Sequence, residues 1–73
     1  MKYTIVLMQD EEDPGIFNVE VPALQGCHTW GRNKAEACER AKEAIQGYLK
    51  MLKDLGEPIP VQVDAQDIEV QVA

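Results

Sequence analysis

Hydrophobic positions fall into two rhythms along this chain. From Asn33 to Gly56 they recur at alternating steps of three and four: Cys38, Ala41, Ile45, Tyr48, Leu52 and Leu55. That period marks one face of an amphipathic helix. Ala37, Ala44, Leu49 and Met51 widen the stripe, and Glu36, Glu39, Arg40, Lys42, Glu43, Gln46, Lys50 and Lys53 fill the opposite face. Asn33 suits the N-cap, with Glu36 three residues on at capping-box spacing. Gly56 is a natural stop, with Pro58 just beyond. A helix over Lys34–Asp54 spans roughly 31 Å, against about 23 Å for a seven-residue strand, so it is expected to overhang its sheet. The stripe is also graded. Its first half is small (Ala37, Cys38, Ala41, Ala44) and its second half bulky (Ile45, Tyr48, Leu49, Leu52), which predicts close approach to a sheet at one end and space-filling at the other.

Elsewhere the rhythm is that of strands. Tyr3–Met8 is a continuous β-prone run without clean alternation, which predicts cover on both faces. Asp10–Gly15 is a charged turn punctuated by Pro14-Gly15. Ile16–Val21 alternates, with Phe17, Val19 and Val21 on one face and Asn18 and Glu20 on the other. Pro22 ends it and Gly26 marks a tight turn. Cys27–Gly31 is a third strand, with Cys27 and Thr29 on one face and His28 and Trp30 on the other. Glu57–Pro60 is a loop. Asp67–Val72 alternates through Ile68, Val70 and Val72 and is predicted as a fourth strand. The expectation is an α+β fold of order β-β-β-α-β. In it a four-stranded mixed sheet of order 3-2-1-4 has the first strand central and one long helix on one face. The other face is left open beneath Trp30 and His28, and a tryptophan on an open face suggests an interface.

The 73 residues read as a single domain, 1–73. At this size a single core is marginal, since only about 60% of the unfolded surface can be buried. Small domains often add a partner subunit, so a homodimer or higher oligomer is expected. No apolar run approaches the ~20 residues of a membrane span, and no signal peptide is visible, so a cytoplasmic protein without membrane contact is expected. The net charge of −6 argues against direct nucleic-acid binding, which relies on clustered Lys and Arg. Asp10, Glu11, Glu12 and Asp13 form an acidic tip. Five acids and no base follow from Asp54 onward. These charges serve solubility, or they steer a basic partner.

Little here supports catalysis. His28 is the only histidine and there is no serine, so no nucleophile, base and orienting group converge. A metal site from Cys27, His28 and Cys38 is disfavoured, because Cys27 and His28 point to opposite strand faces and the spacing fits no common zinc pattern. A Cys27–Cys38 disulfide is within reach but unexpected in a reducing compartment; buried, inert thiols are the simpler expectation. No cofactor, catalytic residue or metal ligand is expected. The candidate partner or oligomer contacts are His28, Trp30, Asp10, Glu11, Glu12 and Asp13.

Three stretches resemble one family. Met1-Lys2-Tyr3 with its β-run into the acidic turn, Val21-Pro22-Ala23-Leu24-Gln25-Gly26-Cys27, and Ala35-Glu36-Ala37 through Leu55-Gly56-Glu57-Pro58-Ile59-Pro60 are similar to the N-terminal domain of HicB antitoxins, also called HicB-like or UPF0150 proteins. The Gly-Glu-Pro-Ile-Pro exit is the most specific of the three. The likeness covers residues 1 to about 61. Gln25 stands where the family usually has Pro, and Arg32-Asn33 where an acid-Thr pair usually opens the helix. The resemblance implies a degenerate RNase H-like fold without nuclease activity. It also implies a partner: HicA, a small basic mRNA-cleaving toxin, neutralised by occlusion of its active surface. Many HicB antitoxins carry a C-terminal DNA-binding domain. Here 17 residues follow Gly56 and read as loop plus strand, so operator binding is not expected. The competing expectation is an orphan regulatory or interaction domain of the same fold with a non-toxin partner.

Overall fold

The structure, a computed structural model, describes residues 2–61 and 71. Three strands precede one helix: β1 (Val6–Gln9), β2 (Phe17–Glu20), β3 (His28–Gly31) and α1 (Lys34–Leu55). The sheet is antiparallel throughout, in the order β1-β2-β3. Leu7, Val19 and Thr29 are aligned across it, as are Met8, Asn18 and Trp30. Neighbours aligned in this way share a face. Leu7, Val19 and Thr29 therefore face the helix, and Met8, Asn18 and Trp30 face away.

β1 departs from expectation in two respects. Its ladder begins at Val6 rather than Tyr3, and only Leu7 of its four residues is even half-buried. Leu7 is half-buried toward the helix, while Val6 and Met8 are 40% and 41% exposed on the other face. An apolar run need not mean two covered faces when one row meets only solvent. Among the described residues β2 is central and β1 is an edge strand. The fourth strand expected over Asp67–Val72, beside β1, lies outside the described residues.

The helix forms where its pattern and caps place it. The Asn33 side chain accepts the Glu36 N–H at 2.8 Å, and the Glu36 carboxylate accepts the Arg32 N–H at 3.2 Å. The return bond thus reaches one residue before the cap itself. At the far end Gly56 takes the left-handed conformation, φ 73°. Gly56 N–H donates to Lys53 O at 3.1 Å and Glu57 N–H to Leu52 O at 2.9 Å. Those two bonds are the Schellman arrangement that satisfies the last carbonyls.

Side-chain size along α1 decides the packing. Ala37 and Ala41 are fully buried on Val19, with Ile5, Leu7 and Phe17 around them. The bulky half, Ile45, Tyr48 and Leu49, together with Ala44 from the end of the small half, covers a second cluster of Val21, Leu24 and Cys27. Leu24 comes from the turn after β2. Successive bonds Leu24 N–H to Val21 O and Cys27 N–H to Leu24 O, both 3.0 Å, fold that turn inward. Gly26 supplies the positive φ, 77°, that the third position of the second turn requires. The Tyr48 hydroxyl then donates to Gln25 O at 2.9 Å and ties the turn to the helix. Burying a leucine this way contributes about 1.5–3 kcal/mol relative to leaving it exposed. Beyond the sheet the helix overhangs, and Met51 and Leu55 are exposed there.

Candidate interaction site

Two surfaces hold the residues singled out from sequence. The first is the open sheet face. His28 lies opposite Glu20 and Glu20 opposite Val6; Trp30 lies opposite Asn18 and Asn18 opposite Met8. This face therefore carries three large exposed apolar side chains, Val6, Met8 and Trp30, interleaved with Glu20, Asn18 and His28. A shallow concavity connects Met8, Asn18, Glu20, His28 and Trp30. His28 and Trp30 thus share one surface, as their alternation predicts.

Trp30 is not bare. The Arg40 guanidinium carbon lies 4.7 Å from its ring centroid and also approaches the Glu36 carboxylate at 3.4 Å. Arg40 belongs to the helix on the opposite face, so its side chain passes outside β3 to reach the ring. Sequence reasoning placed Arg40 among solvated charges. The usable clue was that β3 feeds the helix through only two residues, which keeps the first turns of α1 beside β3.

The second surface is the β1–β2 hairpin tip, where the four acids divide into two kinds. The Asp10 carboxylate accepts the Asp13 N–H at 3.1 Å and the Asn18 amide at 3.2 Å. The Asp13 carboxylate accepts the Gly15 N–H at 3.0 Å. Backbone bonds Asp10 N–H to Ile16 O, 2.9 Å, and Ile16 N–H to Asp13 O, 3.0 Å, close the loop. Asp10 and Asp13 are therefore builders of the turn, in the manner of short acidic side chains generally. Glu11 and Glu12 are exposed and available to a partner. The acidic tip expected from sequence thus has a bonded base, Asp10 and Asp13, and an outward pair, Glu11 and Glu12. The two surfaces adjoin at Asn18, which lies between Met8 and Trp30 on the open face and donates to Asp10 at the base of the tip.

Among the described residues no group of three His, Cys, Asp or Glu side chains is placed to hold a metal ion. Cys27 and Cys38 are both free thiols, Cys27 buried and Cys38 half-buried. Burial pushes the Cys27 thiol above its ordinary value of 9.0, which disfavours the reactive thiolate. His28 is exposed on the face opposite Cys27. Among the described residues no helix is long and apolar enough to cross a membrane.

Comparison with known proteins agrees with this geometry. The model of a family described as HicB_like antitoxin of bacterial toxin-antitoxin system matches residues 3–73. A UPF0150 protein of Thermoplasma acidophilum is 46% identical over 70 residues, covering 96% of this chain and 97% of its own length. A UPF0150 protein of Archaeoglobus fulgidus is 48% identical over 65 residues, covering 86% of this chain and 91% of its own length. Among solved structures, the crystal structure of the N-terminal domain of the Burkholderia pseudomallei antitoxin HicB is similar with a TM-score of 0.68 and 27% identity. That match covers 100% of this chain and 73% of the other. A three-stranded antiparallel sheet under one capped helix, matched along nearly all its length by relatives of one kind, belongs to the HicB-like antitoxin family.

Proposed function

We propose that the chain is a non-catalytic antitoxin domain that neutralises a small, basic, HicA-type mRNA-cleaving toxin by covering its active surface. The observation that carries this reading is the family match over residues 3–73. The charge pattern supports it: exposed Glu11 and Glu12 at the tip and a net charge of −6 suit a cationic partner and repel RNA. The domain works in the cytoplasm, needs no cofactor, and does not itself contact nucleic acid.

The same proposal includes a degenerate RNase H-like fold in which a fourth strand extends the sheet beside β1. The hydrogen bond from the Tyr3 hydroxyl to Pro60 O, 2.7 Å, supports that placement by returning the chain to the segment that leads into β1. It also includes self-association through the open face, supported by the exposure of Val6, Met8 and Trp30 together. Two-fold closure is the commonest form of such assembly.

Co-expression with the product of an adjacent reading frame encoding a Lys-rich protein tests the partner. Co-elution as one complex is the expected result, and separate elution contradicts it. Light scattering tests assembly. A dimer for the wild type that weakens in Trp30→Ala is expected; a wild-type monomer at micromolar concentration refutes the dimer.

A further inference from the structure

The outer edge of β3 is open in a way that the hydrogen-bond parity of the sheet makes explicit. Val21 N–H donates to Cys27 O at 3.1 Å, so these two residues form a hydrogen-bonded pair. In an antiparallel ladder such pairs alternate, and the register then assigns the next ones to Val19–Thr29 and Phe17–Gly31. Cys27, Thr29 and Gly31 therefore turn their N–H and C=O groups toward β2. His28 and Trp30 turn theirs outward, and among the described residues no strand pairs with them.

A groove runs beside this edge, lined by Thr29 of β3 and by Glu36, Glu39, Arg40, Glu43 and Ala44 of α1. Three carboxylates thus line it with one guanidinium, which is engaged by Glu36 and the Trp30 ring; Glu39 reaches outward to Lys42 at 3.2 Å, an exposed pair weak enough for an incoming cation to replace. Arg40 lies across the edge as a local strap. It shows which chemistry the site accepts: a cation held between the helix acids and the indole.

We propose that the outer edge of β3 is a strand-docking site for an extended, lysine- or arginine-bearing segment of a basic partner. The docked backbone exchanges hydrogen bonds with His28 and Trp30, extending the sheet by one strand. Its alternate side chains then fall on two faces. Cationic ones meet Glu39 and Glu43 on the helix side, and apolar ones lie beside Trp30 on the open face. Charge selects this occupant over a second copy of the chain. Pairing two β3 edges about a two-fold axis would bring the Glu36, Glu39 and Glu43 rows of two helices together, like against like. The edge of β1 is the less suited alternative, because the groove on that side, lined by Tyr3, Ile5, Ala41, Ile45 and Lys42, offers a lysine and no carboxylate. The proposal rests on the toxin-binding reading only for the basic character of the partner.

The test uses the full chain, labelled with nitrogen-15, and an acetylated eight-residue peptide in which lysine alternates with valine. Amide hydrogen exchange and affinity are measured together. At saturation the His28 and Trp30 amides are expected to slow at least tenfold. Glu39→Gln with Glu43→Gln is expected to weaken binding at least fivefold and flatten its salt dependence. Arg40→Ala, which removes the strap and its competing charge, is expected to tighten it at least threefold. The matching glutamate–valine peptide is expected not to bind. Protection on β1 instead, binding without protection at His28 and Trp30, or indifference to the double substitution would overturn the proposal. So would protection of those amides in the free chain that grows with its own concentration, since a second copy would then hold the edge. Peptide docking without silencing of any toxin would refute only the preceding reading. Silencing with an unprotected β3 edge would refute only this one.

Discussion

Gly31 is where the helix comes closest to the sheet, and replacing it by alanine tests the packing most sharply. A Cβ at Gly31 would stand 2.4 Å from Ala37 N, 2.7 Å from Ala37 Cα and 2.9 Å from the Glu36 carbonyl carbon. All three are backbone atoms of the first helical turn, so no flexible side chain can yield. The tightest contact falls roughly 1 Å short of ordinary van der Waals separation, and a gap of that size opened elsewhere forfeits about a quarter to a half of each contact it separates. The contacts at risk are those of Ala37 and Ala41 on Val19, all essentially buried. Overpacking alone costs about 1–3 kcal/mol. Because the clash is backbone on backbone, Gly31→Ala is expected at the upper end, about 3 kcal/mol. A chain of this length has a total stability of about 4–11 kcal/mol. With a urea slope of about 1 kcal/mol/M, the midpoint should fall by roughly 3 M, read by Trp30 fluorescence and far-ultraviolet circular dichroism. Gly47→Ala is the control. It lies within α1, with nothing beyond its own helical turns within 4 Å of the added carbon, so relief of glycine's helical penalty should stabilise by about 0.5–1 kcal/mol. Equal shifts of the same sign, or a Gly31→Ala shift below about 0.5 M, would refute the close approach.

Three further outcomes follow from the same packing. Ala41→Leu, at a position buried against Val19, should cost ~1–3 kcal/mol, while Glu39→Gln on the outer face should stay within about 0.5 kcal/mol; equal losses in chemical denaturation would contradict the burial of this stripe. Gln25→Pro, at the second position of the turn in which Gly26 takes positive φ, should raise the thermal midpoint through a gain of about 0.4–1 kcal/mol from a less flexible unfolded chain; a lowered midpoint would show that the turn has another geometry. Burial raises the Cys27 thiol above 9.0, so above that pH the unfolded chain loses its proton before the folded one. Stability should therefore fall as pH rises past about 9, by a contribution that Cys27→Ala abolishes; an unchanged slope in that variant would place the effect elsewhere.

The sequence carried the local structure of this domain well because each element advertises itself within a few residues. Asn33 and Glu36 mark the start of α1, Gly56 and Pro58 its end, and the alternation of Phe17, Val19 and Val21 assigns β2 its faces. The separation of His28 and Trp30 from Cys27 and Thr29 follows from the same period of two. What escaped was set by tertiary approach. Leu24 looks like a turn residue until the turn folds under Tyr48 and Leu49. Gly31 looks like the end of a strand until Ala37 lies on it. The apolar run through β1 does not reveal that Val6 and Met8 face solvent. Asp10 and Asp13 read as free charge because their hydrogen bonds to the loop depend on its shape. In the candidate surface, the position of Trp30 was legible and its cover by Arg40 was not, since that contact crosses the edge of the sheet.

The central claim, that this domain silences a basic toxin by covering it, is tested most directly by RNA cleavage. A purified HicA-type toxin encoded beside this chain is assayed on messenger RNA while the chain is titrated in, at low and at high salt. The account predicts that cleavage stops near equimolar chain. It also predicts slower association as the Debye length shrinks from about 10 Å at 0.1 M to about 3 Å at 1 M. Undiminished cleavage at a tenfold excess of folded chain would contradict it.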